Sequence, residues 1–139
     1  MTNFLEQLTA EYYSYIGYFV RTNVKYGRLP RGGYEGEMDV VAYHPESLTL
    51  LHVETSMDAL SWEKRKQTFR RKFSLASNYY YKLFKFDINE IEIMVIVGFS
   101  NPPKYFWEVA PIQSIPAFIA EITDYLSQYD PLRAAIPEN

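Results

Sequence analysis

The sequence predicts an α/β domain built on a mixed central sheet of about four strands, with helices on both faces. Three observations predict it. Apolar residues recur at helical spacing in three separate stretches of the chain. Two hydrophobic strands flank a short turn at His44–Ser47. A third strand is reached only through a long helix, a connection that lays strands parallel and so makes the sheet mixed.

The elements follow in order. Residues 2–20 read as a helix: Thr2 or Asn3 can cap it, and Leu5, Leu8, Tyr12, Tyr15 or Ile16, and Phe19 share a face. Tyr18–Val24 already has the β-branched and aromatic content of a short strand. Gly27–Gly36 holds four glycines and one proline and reads as a loop carrying Arg28 and Arg31. Met38–Tyr43 and Leu48–Glu54 form a hairpin whose strands are apolar on both faces, as in a sheet covered by helices. Asp58–Lys85 reads as one long helix with the stripe Trp62, Phe69, Phe73, Ala76, Tyr80 and Leu83 or Phe84. Ile91–Phe99 is the most hydrophobic strand, and Asn101–Pro103 starts a loop. Ser114 can cap a last helix with Pro116 in its first turn and Ile115, Phe118, Ile119, Ile122 and Leu126 on one face. The order is α-β-β-β-α-β-α, one domain over residues 1–139, with an irregular tail from about 130.

Composition narrows the chemistry. A chain of 139 residues can bury a sizeable core, and its 47% apolar and 22% charged content is that of a globular protein. With no Cys there are no disulfides, Cys–zinc sites or thiol nucleophiles. No apolar run is long enough to span a bilayer, and no leader pattern opens the chain, so a cytoplasmic protein without a membrane role is expected. The net charge of −3 is unevenly spread: residues 1–86 carry 12 basic and 9 acidic side chains, residues 87–139 carry 2 and 8. Six of the 14 basic residues fall within Glu63–Phe73, a strip able to hold a polyanion or simply to solvate a helix face.

Asp39 and Glu54 stand apart from the other acids. Each interrupts a hydrophobic strand of the same hairpin, where an ionised carboxylate is costly unless paired or bound to a cation. Alternation puts Glu37, Asp39 and Val41 on one face and His52, Glu54 and Ser56 on one face, so the two carboxylates come within a few residues of facing each other. Such a pair suits a hard cation, Mg²⁺ or Mn²⁺. The alternative is that each pairs with an Arg or caps a backbone group. His44 precedes Pro45 in a turn, and His52 reads as a strand residue. The Asn78–Tyr81 run points in several directions on a helix and suits packing better than base stacking.

Gly36-Glu37-Met38-Asp39-Val40-Val41, followed by a hydrophobic strand ending in Val53-Glu54-Thr55-Ser56, resembles the PD-(D/E)xK nuclease superfamily. The resemblance covers roughly residues 4–100 and includes the order helix, three strands, helix, strand. It implies that Asp39 and Glu54 hold one or two Mg²⁺ (or Mn²⁺) ions, with Glu11 from the first helix as a third ligand. It departs at one position: the superfamily's Lys is replaced by Ser56, which cannot supply a positive charge. A cation on the following helix can take its place, with Lys64, Gln67 and Arg71 sharing one face and Lys72 on the next. The resemblance thus implies metal-dependent hydrolysis of phosphodiester bonds, in DNA or RNA, by a homodimer or with a partner subunit. Arg28, Arg31, Arg65, Arg70 and Arg71 would contact backbone phosphates. The alternative is a catalytically inactive module of the same fold that binds nucleic acid or a protein.

Overall fold

In the computed structural model, which describes residues 3–56, 61–98 and 110–128, five strands form one mixed sheet in sequential order. The elements are α1 (Phe4–Tyr15), β1 (Phe19–Arg28), β2 (Tyr34–His44), β3 (Thr49–Ser56), α2 (Trp62–Ser77), α3 (Tyr80–Leu83), β4 (Glu90–Val97), β5 (Ile112–Ser114) and α4 (Ile115–Gln128). The first three strands run antiparallel, and β3–β4 and β4–β5 are parallel. The mixed sheet with helices on both faces is as the sequence predicts, with one strand more. The added strand is β5, whose three residues are too few to show a period in the sequence. The Asn101–Pro103 loop and the tail from 130 lie outside the described residues.

Other boundaries also moved. The first helix stops at Tyr15, where Gly17, in the left-handed region at φ 108°, turns the chain. The glycine-rich loop shrinks to residues 29–33, because β1 runs on to Arg28 and β2 starts at Tyr34. Only Gly32 and Gly33, both at positive φ, are needed for the turn. The long helix breaks after Ser77, so α3 is a separate single turn. Ser114 caps α4 as expected, its Oγ accepting from Ala117 N–H at 3.3 Å.

Two packing layers explain the stripes. Leu5, Tyr12 and Tyr13 of α1 and Phe118 of α4 cover Val40, Ala42, Leu51, Val53 and Ile96 on one face of the sheet. On the other, Phe69 and Phe73 of α2 pack on Val95 and Val97, while Ala76 and Tyr80 pack with Val41 and Leu50. At roughly 25 cal/mol per Å² of apolar surface, each fully buried Leu, Val or Phe here contributes about 1.5–3 kcal/mol before conformational entropy is subtracted. No helix among the described residues is long and apolar enough to cross a membrane.

A candidate site at a strand fork

The sheet opens at one point. The β2–β3 ladder ends at the Val40–Val53 pair, yet β2 stays paired to β1 as far as Tyr34 and β3 stays paired to β4 as far as Ser56. The next rung would join Asp39 to Glu54, and their side chains replace it. Asp39 N–H donates to Glu54 Oε2 at 2.8 Å, and Thr55 N–H donates to Asp39 Oδ2 at 2.9 Å. Buried backbone donors need partners, so the two carboxylates satisfy a fork that the diverging strands leave open.

Further groups converge on Glu54, which is fully buried. His52 Nε2 lies 2.9 Å from Oε2, and its Nδ1 lies 2.5 Å from the Tyr80 hydroxyl. The tautomer with the proton on Nε2 satisfies all three groups: Nε2–H donates to Glu54, and Nδ1 accepts from Tyr80. Lys72 reaches in from α2 and places Nζ 3.1 Å from Glu54 Oε1. This is an ion pair off hydrogen-bond geometry, so among the described residues Oε1 has no hydrogen-bond donor, and the buried Ser56 Oγ has no hydrogen-bond partner.

Environment drives the two acids apart. Burial raises the Asp39 pKa to about 7, and the neighbouring charges of Glu54 and Glu6 add to it, against the Thr55 N–H and Lys72. Burial also opposes ionisation of Glu54, but the His52 hydrogen bond, the nearby Lys72 and Asp39 N–H outweigh it and hold the carboxyl below its ordinary range. Lys72 loses hydration, yet Glu54, Asp39 and Glu37 keep its pKa above normal. Two nearby carboxyls with opposite shifts are the pattern expected where acid and base roles are divided.

Asp39 faces a cleft of about 500 Å³ lined also by Glu6, Asn23, Tyr26, Glu35, Glu37, Arg71 and Lys72. Gly36 forms part of its wall, and a Cβ there would clash with the Tyr26 hydroxyl. Of the residues singled out from sequence, Asp39, Glu54, Lys72 and Arg71 therefore gather in one place. Lys64 and Gln67 are exposed and do not line the cleft. Arg65 is buried and stacks on Trp62, its Cζ 4.4 Å from the ring centre. Arg70 is exposed on α2, and Arg28 and Arg31 are exposed at the β1–β2 tip. That tip is five residues along β2 from Asp39, or about 16 Å.

Glu11 is placed elsewhere. It is exposed, accepts from Gln7 Nε2 at 3.3 Å and lies in a separate shallow depression with Ser14 and Thr22. The acid that α1 brings to the Asp39 cleft is Glu6. It takes the capping-box position on Asn3, whose Oδ1 accepts from Glu6 N–H at 2.8 Å. Its Oε2 accepts from Asn23 Nδ2 at 3.2 Å. Asn23 sits at φ 53° in mid-strand, where its pairing with Asp39 is skipped. An Asn among β-branched residues, and an Asn-x-x-Glu start to the helix, are the sequence signals that could have found this pair.

Hard oxygen donors fit a divalent cation held through carboxylates. Asp39 Oδ1 carries no hydrogen bond among the described residues, and Glu54 Oε1 has only the off-axis Lys72 ion pair. Among the described residues no group of three or more His, Asp or Glu side chains is close enough to form a complete metal shell. The fork thus offers two protein oxygens, a number that suits a cation keeping most of its water. In comparisons with known proteins, the chain matches no family model, no curated protein and no solved structure.

Proposed function

We propose that the fork is the active site of a nuclease that hydrolyses phosphodiester bonds with Mg²⁺ or Mn²⁺. The observation that carries this reading is the placement of Lys72 beside Asp39 and Glu54, at the mouth of a cleft that also holds Arg71. Ser56 removes the positive charge from the strand, and α2 returns one to the same carboxylate. Asp39 Oδ1 and Glu54 Oε1 would hold the cation. Divalent-metal chemistry supplies an acidified water and neutralises the scissile phosphate.

The chain's own groups do the rest. His52 and Asp39 N–H fix Glu54 Oε2, which leaves Oε1 directed at Lys72. Lys72 can turn from Glu54 toward a phosphate oxygen and stabilise charge as it develops there. Asp39 would have to give up its proton, whose pKa burial raises to about 7, before it could hold a cation. Arg71 contacts a non-bridging phosphate oxygen and positions the strand without reading its sequence. DNA is the expected substrate, with RNA the other case. A homodimer or partner subunit belongs to the proposal, because one domain of this size covers little duplex.

A second reading has an observation of its own. Glu54 is already engaged by His52, Asp39 N–H and Lys72, as a purely structural carboxylate would be. On that reading the fork is a polar splint in a catalytically inactive module that binds nucleic acid or a protein.

Incubation of single-stranded, duplex, branched and supercoiled DNA, and RNA, with Mg²⁺ or Mn²⁺ separates the two. Wild type is compared with Asp39→Asn, Glu54→Gln and Lys72→Met, each checked for folding by circular dichroism. Cleavage that needs metal and falls at least about 100-fold in each variant supports the nuclease. No cleavage by folded wild type, with no heat of metal binding in calorimetry, leaves the splint.

A further inference from the structure

A second cleft, of about 680 Å³, lies on the same strands as the fork but has the opposite chemistry. Its floor is Val41 and Leu50, its walls include Phe19, Tyr43, Phe84 and Phe86, and Arg21 and Lys85 stand among them. Among the described residues no Asp or Glu lines it. The rings are ordered: Tyr43 and Phe86 lie 4.0 Å apart, centre to centre, and Phe84 and Phe86 stack at 5.7 Å. The Tyr43 hydroxyl donates to the Asp87 carbonyl at 2.7 Å and ties the segment after α3 to the sheet. Phe19 and Phe86 nevertheless remain 70% and 42% exposed. Two large rings left in water and flanked by cations, with Phe86 held by stacking, are poorly explained as core.

We infer that this cleft binds unpaired nucleotides of a single-stranded nucleic acid, with bases against Phe19 and Phe86 and phosphates against Arg21 and Lys85. Aromatic faces take any base, and neighbouring cations take the backbone, which is the recurring design of single-strand grooves. The all-cationic polar complement favours a polyanion over an apolar protein segment. Position agrees with charge. Arg21 is two residues along β1 from Asn23 of the acidic cleft, and Val41 is two residues along β2 from Asp39, about 7 Å in each case. A strand following β1 would thus pass from the fork over Arg21 to the rings. The inference rests on the nuclease reading for its substrate class and narrows that class to substrates with an unpaired stretch beside the scissile bond.

The test is binding without cleavage. Anisotropy of a fluorescein-labelled oligothymidylate of about 16 nucleotides, the upper end of one single-strand site, is followed in EDTA at several salt concentrations. Wild type is compared with Phe19→Ala, Phe86→Ala and Lys85→Ala. Phe19→Ala leaves the core intact because the ring is mostly exposed, so it reads the cleft even where Phe86→Ala disturbs folding. Each ring variant should bind about tenfold more weakly, and Lys85→Ala should flatten the log K against log salt slope by about 0.7. A duplex of equal length should bind more weakly than the single strand and be insensitive to the ring variants.

Unchanged oligonucleotide affinity in folded Phe19→Ala and Phe86→Ala overturns the inference. So does equal affinity for thymidine monophosphate, which would make this a small-molecule site. Loss of self-association in the ring variants without loss of oligonucleotide binding also overturns it, making the cleft a contact between copies. The two proposals fail separately: ring-dependent binding by a protein that never cleaves sinks the nuclease alone, and metal-dependent cleavage with ring-independent binding sinks the cleft alone.

Discussion

The acidic fork and the aromatic cleft share β2 and β3, yet they are built in opposite ways. At the fork, charge is taken out of water and both carboxylates are tied to neighbours: Glu54 to His52, Lys72 and Asp39 N–H, and Asp39 to Thr55. At the cleft, apolar rings are left in water with few ties beyond the Tyr43–Asp87 bond. Buried polar groups must be fully partnered and are costly to disturb, whereas exposed rings can be trimmed cheaply. Mutations at the fork should therefore change stability and chemistry together, while those at the cleft should change binding alone.

The largest effect should come from Glu54→Ala. It removes the common partner of His52, Lys72 and Asp39 N–H, and Glu54 itself is fully buried. Breaking such a buried pair costs about 3–5 kcal/mol, to be read as a lower urea midpoint at unchanged slope. A loss below about 1 kcal/mol would end the view of the fork as a tightly coupled unit.

Next in size is the pH dependence. The folded Asp39 pKa of about 7 stands above the ordinary 3.8, so the folded state holds this proton more tightly than the unfolded state does. Its stabilising contribution is complete below about 3.8 and is lost as pH rises toward 7. Glu54 runs the other way: its pKa is depressed below 4.5, so its contribution is present above 4.5 and lost as pH falls through the folded value. Wild type should be most stable between these limits. Asp39→Asn should remove the decline toward pH 7 and melt about 4 °C higher than wild type at pH 8. A wild-type melting temperature that is flat from pH 5 to 8 would contradict this.

Metal binding should show the same proton. Calorimetric affinity for Mn²⁺ should rise with pH up to about 7 and level off, as Asp39 gives up its proton to the cation. Affinity independent of pH over that range would place the cation elsewhere.

The smallest effects separate two acids on one helix. Glu6→Gln should weaken metal-dependent cleavage about tenfold, because Glu6 lines the Asp39 cleft and anchors Asn23. Glu11→Gln should leave cleavage unchanged and the melting temperature within about 1 °C, since Glu11 is exposed in another depression. The reverse ranking would restore Glu11 as the helix-borne ligand.

The framework was legible from local pattern alone. Two hydrophobic strands around a Pro-containing turn, an amphipathic helix and a β-branched run specify a mixed sheet covered on both faces, because period and burial are local properties of the chain. The sequence also marked Asp39 and Glu54, since a carboxylate inside an apolar strand is conspicuous whatever surrounds it. Tertiary structure decided how those acids are used. The strands diverge one residue past Val40 and Val53, and only the pairing register reveals this. That divergence turns the two carboxylates into backbone partners as well as ligand candidates. The choice of Lys72 over Lys64 was likewise a matter of geometry, since several basic residues crowd α2 and sequence spacing does not say which of them reaches Glu54. Glu6 stayed hidden because its contact with Asn23 and its place in the Asp39 cleft depend on how α1 packs against the sheet. The aromatic cleft was invisible for a similar reason: its residues come from β1, β2, β3 and the segment after α3, distant stretches that only folding brings together.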